Sequence, residues 1–204
     1  MRFVLASGSP RRREILEELG YRFTIQTGDF DESTVSLTVP EEGVQELALG
    51  KARAAAESVT VTEPTLFLGA DTVVALDDVV MGKPGNEEEA EEMLKTLSGR
   101  THTVYTGVAL LEKDPGGSIA SEKTFAEATQ VRFFSLSEEE VDWYVSTGEP
   151  MDKAGAYGIQ GLGRVLVEGV DGDYLTVVGL PAARVYRALR ERGIVPEPED
   201  HHNM

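Results

Sequence analysis

The sequence predicts a mixed α/β fold, a twisted mixed sheet flanked by helices, and three observations carry that reading. Short apolar runs of strand length alternate with helical periodicities through the first half of the chain. In the second half, THTVYTGVALLEK and KTFAEATQVRFF flank the turn sequence KDPGGS, the pattern of a hairpin. No apolar run approaches the ~20 residues that span a bilayer. Interleaving followed by hairpins describes a mixed sheet with helices packed against it.

Taken in order, Phe3, Val4 and Leu5 form a short buried strand. Ser9 fits a helix N-cap and Pro10 the first helical position, with Ile15, Leu16 and Leu19 at helical spacing and Gly20 at the stop. YRFTIQ is a second strand and GDFDEST a polar loop. Pro40, Glu41 and Glu42 open a helix over residues 40–58, with acid at the end the helix dipole favours. LFLGADTVVAL reads as a buried strand, DDVV as a hairpin, and NEEEAEEMLKTL as a helix capped by Asn86 that stops at Ser98–Gly99. After the long hairpin, Ser137 caps SEEEVDWYVST, which Gly148–Glu149–Pro150 breaks. GAYGIQGLG is irregular, RVLVEGV a further strand, and LPAARVYRALRERG the last helix. Residues 1–195 are expected to form a single domain, and 196–204 a disordered tail.

Charge narrows the function. A net charge of −17 argues against a nucleic-acid partner, which requires a basic footprint. With no cysteine, disulfides, zinc–thiolate sites and thiol nucleophiles are excluded. Of three histidines two lie in the tail, and His102 reads as structural. The chain lacks a signal-peptide h-region, so no membrane partner and a cytoplasmic location are expected. The acidic, lysine-poor surface fits either simple solubility or a halophilic source.

Against that background Arg11, Arg12 and Arg13 stand out, because they occupy the first turn of a helix, the wrong end for cations. A bound polyanion, reached by guanidinium forks and free backbone N–H groups, resolves the conflict. Asp71, in GAD, follows the apolar run Leu66–Leu68, where α/β sheets bind ligands; a ligand-facing carboxylate and an Asx-turn ending the strand are both open at this point. Gly69 permits close approach of a backbone or a ligand. Lys83, in a stiff GKP turn, and Lys51, on the polar side of an alanine-rich helix, read as solvated residues. Glu32 reads as part of an acidic loop that would need a divalent cation to face phosphate. KAGAYGIQG can expose backbone N–H groups, and Gln160 within it can both donate to and accept from a base edge. No P-loop, GxSxG elbow or HExxH is present. The inventory suits a phosphate or nucleotide ligand, where positioning and charge neutralisation outweigh covalent catalysis.

In their order along the chain, LASGSPRRREIL, GADTVV, GKP, LSGRTHTVYTGV, DKAGAYGIQG and VVGLP resemble the Maf family of nucleoside triphosphate pyrophosphatases, related in fold to the inosine triphosphatases. The resemblance implies an elongated architecture with two lobes around a central cleft, a divalent cation (Mg or Mn), and a homodimer. It implies attack of water at the α-phosphorus, giving a nucleoside monophosphate and pyrophosphate. It places Asp71 at the proton acceptor, Ser7, Arg12, Lys51 and Lys83 at the substrate phosphates, and Glu32 with Asp71 at the metal. Arg11, Thr72 and Gln160 match the branch acting on dTTP and UTP, where house-cleaning of modified pyrimidine triphosphates is one expected purpose. Arg11 disfavours the 7-methyl-GTP branch, which carries tryptophan there. The remaining alternative from another class is a regulator of cell division that binds nucleotides without hydrolysing them.

Overall fold

The computed structural model describes residues 1–77 and 79–197. Seven strands form one sheet: β1 (Arg2–Leu5), β2 (Thr24–Ile25), β3 (Thr65–Leu76), β4 (Val79–Met81), β5 (Thr101–Lys113), β6 (Ile119–Phe133) and β7 (Val167–Asp171). Their order is β2-β1-β3-β5-β6-β7, with β4 folded back on β3. β1 runs parallel to β2 and β3, and every pairing after that is antiparallel. Among the described residues six α-helices accompany the sheet: α1 (Pro10–Glu18), α2 (Pro40–Glu57), α3 (Glu87–Leu97), α4 (Glu138–Ser146), α5 (Tyr174–Val178) and α6 (Ala182–Arg190).

The alternation of side chains along β3 and β5 divides the core in two. Leu66, Leu68, Val74, Val108 and Leu110 face α1, α3, α4 and α6, whereas Phe67, Ala109 and Leu111 face α2 alone. The second layer is thin because α2 lies almost on the sheet. A Cβ at Gly69 would sit 2.1 Å from the Ala48 carbonyl, and one at Gly107 would sit 2.2 Å from that of Val44. Gly69 therefore admits a neighbouring backbone, the first of the two uses expected of it.

α1 carries the chain from β1 to β2 on one side, α2 carries it from β2 back past β1 to β3 on the other, and the two helices cover opposite faces. That arrangement is a topological switch point, outside the carboxyl end of β1. On the same edge of β3, β1 pairs residues 65–68 and β4 pairs 74–76. Residues 69–73 have no strand beside them on that edge, and a cleft opens there.

Several boundaries differ from the sequence reading. β2 is only two residues long. α5 was not anticipated; five residues are too few to show helical periodicity. Arg164–Leu166 turn in a 3-10 helix before β7 begins. Of the expected disordered tail, Glu197 is held, its N–H donating to the Gly20 carbonyl at 2.9 Å and its carboxylate meeting Arg22 at 2.5 Å; residues 198–204 lie outside the described residues. Among those residues no helix is long and apolar enough to cross a membrane.

Candidate active site

The cleft has a volume of about 810 Å³, within the range that accommodates a small-molecule ligand. Asp71 reaches it from the middle of β3, since the strand continues five residues further, to Leu76. The Asx-turn reading of Asp71 is thereby ruled out. Its side chain faces α2, and the close packing of that helix on Gly69 and Gly107 brings Lys51 down onto it. Lys51 Nζ donates to Asp71 Oδ1 at 2.5 Å and lies 3.1 Å from Glu32 Oε1. The lysine side chain is only 22% exposed, so it is an inward-facing group and not the solvated residue its helix position suggested. Glu32 arrives from a single 3-10 turn, Glu32–Thr34, fixed by the Asp31 carboxylate accepting from Ser33 N at 3.0 Å.

The three arginines separate in the structure. Arg13 stays at the surface, 3.8 Å from Glu17. Arg11 lines the cleft. Arg12 turns inward and is 9% exposed. Its Nε donates to the Gly179 carbonyl at 2.8 Å, Nη1 to Ser7 Oγ at 3.1 Å and Nη2 to Thr72 Oγ1 at 3.1 Å. All three partners are neutral, and among the described residues each Nη makes one hydrogen bond and keeps its second N–H unengaged. Burial pulls the Arg12 pKa below its ordinary value, a shift that the field of Asp71 opposes, Arg11 adds to and Glu32 opposes. Buried charges are normally paired. A buried guanidinium that forms no ion pair among the described residues can receive an external anion.

Ser7 stands behind Arg12 and outside the cleft wall, accepting from Arg12 and from Ser9 N at 3.3 Å. Ser9 occupies the N-cap position as expected, yet its hydroxyl caps nothing. Thr72 points to the face opposite Asp71 and joins Arg12 to Thr106 Oγ1 at 2.8 Å, which donates in turn to the Thr176 carbonyl at 2.8 Å. Lys83 is exposed at the cleft and forms no ion pair among the described residues. Gln160 lines the opposite wall, within 3-10 turns between Glu149 and Leu166. Thus Arg11, Arg12, Glu32, Lys51, Asp71, Thr72, Lys83 and Gln160 all line one cavity, and Ser7 does not.

Two carboxylates converging on one ammonium form an oxygen-donor pair of the kind that holds Mg²⁺ or Mn²⁺ when substrate phosphates complete the shell. Among the described residues no group of three acids or histidines could hold a metal alone. The residues fit a cation shared with a ligand.

The sequence reading missed Glu149, Asp152 and Tyr157, which also line this cavity. Glu149 carried only the signature of a helix break. Asp152 accepts from Lys153 at 2.6 Å, which holds its carboxyl below the usual range against the opposing effect of burial. Tyr157 donates or accepts at His102 Nε2, 2.8 Å away, and burial raises its pKa. His102 is structural, as expected.

The family model described as Maf-like protein matches residues 2–192. The chain belongs to the Maf family. Among Maf relatives, a dTTP/UTP pyrophosphatase of Bacillus cereus is 47% identical over 190 residues, covering 93% of this chain and 95% of the relative. Another of that name, from Bacillus cytotoxicus, is 48% identical over 190 residues with the same coverage. A solved nucleoside-triphosphatase/dITP/XTP pyrophosphatase from Mycobacterium abscessus has a TM-score of 0.44 and 17% identity, covering 95% of each chain.

Proposed function

We propose that this Maf protein hydrolyses dTTP and UTP to the nucleoside monophosphate and pyrophosphate. The observation that carries the reading is the buried Arg12, without an ion pair among the described residues, facing the same cavity as the Asp71–Lys51–Glu32 cluster. Cations without anions stand beside carboxylates that are already arranged, and a triphosphate supplies the missing charge.

The free N–H groups of Arg12, with Lys83 and Lys51, bind the phosphate chain and offset charge as the bridge between the α- and β-phosphates breaks. Asp71 engages Lys51 through Oδ1, which leaves Oδ2 to accept a proton from the attacking water. A new bond forms from water oxygen to the α-phosphorus, the bridging oxygen leaves with pyrophosphate, and the proton goes to Asp71. Glu32 and Asp71 would hold the divalent cation, which supplies positive charge against the phosphate oxygens when bound. Arg11, Thr72 and Gln160 select the pyrimidine, with Gln160 offering both donor and acceptor to the base edge. The reading takes residues 1–195 as one catalytic unit with two lobes about the cleft, and as a homodimer.

Hydrolysis of UTP in ¹⁸O-water with Mg²⁺ or Mn²⁺ tests it. The label is expected in the monophosphate, with pyrophosphate and no orthophosphate released, and chelation should stop the reaction. Label in pyrophosphate, release of orthophosphate, or binding without turnover in the presence of metal would overturn it.

A further inference from the structure

The wall that carries Gln160 has no strand or α-helix to fix it, yet its backbone is tied at both ends to one pair, the buried Tyr144 and the half-buried Glu149. Glu149 Oε2 accepts from Leu162 N at 2.8 Å, and Oε1 accepts from Gly163 N at 3.1 Å. Tyr144 Oη donates to Glu149 Oε1 at 2.9 Å and accepts from Gly158 N at 3.0 Å. Tyr144 belongs to α4 and is fully buried, so the pair is anchored in the main core. The ties bracket residues 158–163 on both sides of Gln160.

Chain geometry supports a dedicated grip. A Cβ at Gly161 would lie 2.3 Å from each Glu149 carboxylate oxygen, so the backbone wraps on the carboxylate only where no side chain intervenes. Burial pushes the Glu149 carboxyl up, and the two amides, the Tyr144 hydroxyl and Lys153 outweigh it, leaving the group below its usual range. From outside, Arg164 Nε donates to the Gly161 carbonyl at 2.8 Å and Nη2 donates to that of Gln160. Amides are held from within and carbonyls from without.

We propose that Glu149, acting with Tyr144, is the positioning residue for substrate selection: it clamps the Gly158–Gly163 backbone so that the Gln160 amide is presented to the base in one orientation. Both carboxylate oxygens are engaged by protein donors, so Glu149 acts through Gln160 and is not itself a catalytic residue. A site that reads a base edge must hold its donor and acceptor to a fraction of an ångström, and a loop free to shift loses discrimination before it loses chemistry. The inference rests on the reading of Gln160 as the residue that faces the base.

Glu149→Gln keeps the size and places an NH2 where an amide N–H arrives. In this variant KM for UTP should rise about tenfold with kcat within about threefold, and the UTP-over-ATP ratio of kcat/KM should fall accordingly. Hydrogen exchange over residues 158–164 should quicken at least about tenfold while that of β3 and β5 stays unchanged. An unaltered ratio with unaltered exchange overturns the proposal, as does a uniform loss of kcat for both substrates. Gln160→Ala, measured beside it, separates the two levels. If that variant retains the ratio, the base-facing reading of Gln160 fails and the selection role falls with it; if it loses the ratio and Glu149→Gln does not, only the clamp fails. Should Glu149→Gln not fold, Tyr144→Phe cuts the same link while preserving the ring. The same rise in KM and in exchange supports the clamp, and wild-type values overturn it.

Discussion

On one side of the cleft Asp71 stands in the middle of a twelve-residue strand, with α2 pressed against it. On the other, Gln160 stands among 3-10 turns whose backbone is held by a carboxylate, a phenol and a guanidinium. The first wall is fixed by the ladder of hydrogen bonds from β3 to β5 and by helix–sheet contact so close that only glycine fits between. The second is fixed by side chains reaching distant backbone groups. The difference matches the proposed labour of each wall. Proton transfer and charge neutralisation need rigid placement, whereas base selection can be retuned by changing a few loop contacts without disturbing the sheet.

The sharpest way to break this comparison is to disable the rigid wall without moving it. Asp71→Asn preserves shape and removes the carboxylate, and turnover should fall more than about a hundredfold. Thermal unfolding should remain cooperative, which separates lost chemistry from lost structure. Pyrophosphate release near the native rate from a folded Asp71→Asn protein would take Asp71 out of the proton-accepting role and leave the strand wall with no chemistry of its own.

The next effect joins the walls. His102 on β5 is 2% exposed, touches Tyr157 of the irregular wall, and is pushed by burial to a pKa of about 4. Its Nδ1 is buried without a partner, so a second proton has nowhere favourable to sit. Below ~6.5 the unfolded chain binds a proton here that the folded chain refuses. This histidine's contribution is therefore complete above about pH 6.5 and is lost as pH falls toward 4, at a cost of about 3 kcal/mol. Urea unfolding at pH 7 and pH 4.5 should show most of that loss, and His102→Phe should reduce it. An identical acid slope in the two proteins would show that His102 does not couple the walls to pH.

Much of the first wall could be read in the sequence because its determinants are local. An apolar run located β3, the strand before the KDPGGS turn located β5, and Pro40 with its acids located α2. The capping residues Asn86 and Ser137 sit where they were expected, Ser137 in a full capping box. What residue patterns alone could not show was the inward turn of Lys51, because that depends on how closely α2 approaches the sheet. The second wall was legible as a glycine-rich stretch containing Gln160, without the contacts that hold it. Glu149 and Leu162 are thirteen residues apart and Tyr144 and Gly158 fourteen, and no periodicity encodes such contacts.

Gly69→Ala tests the packing argument at smaller scale. The added methyl meets the Ala48 carbonyl, so α2 must shift, with an overpacking cost of about 1–3 kcal/mol. Lowered thermal stability should come with weaker UTP hydrolysis, because Lys51 moves with the helix. A variant as stable and as active as the parent would mean that α2 is not the element that sets Lys51 against Asp71.

The smallest expected effect lies within the arginine triplet and is informative for being small. Arg12 is buried among neutral partners, whereas Arg13 is exposed beside Glu17 at 3.8 Å. An exposed pair at this spacing contributes under about 0.5 kcal/mol, and part of that is offset by the unfavourable helix dipole at the first turn. Arg13→Ala should therefore change unfolding free energy by less than about 0.5 kcal/mol and leave UTP hydrolysis at its parent rate. Arg12→Ala removes a buried cation from the cleft, and substrate binding should weaken sharply. Equal losses from the two substitutions would show that the triplet acts as a diffuse field at the helix start. Unequal losses would show that one guanidinium is built into the cleft while its neighbour only shares the surface.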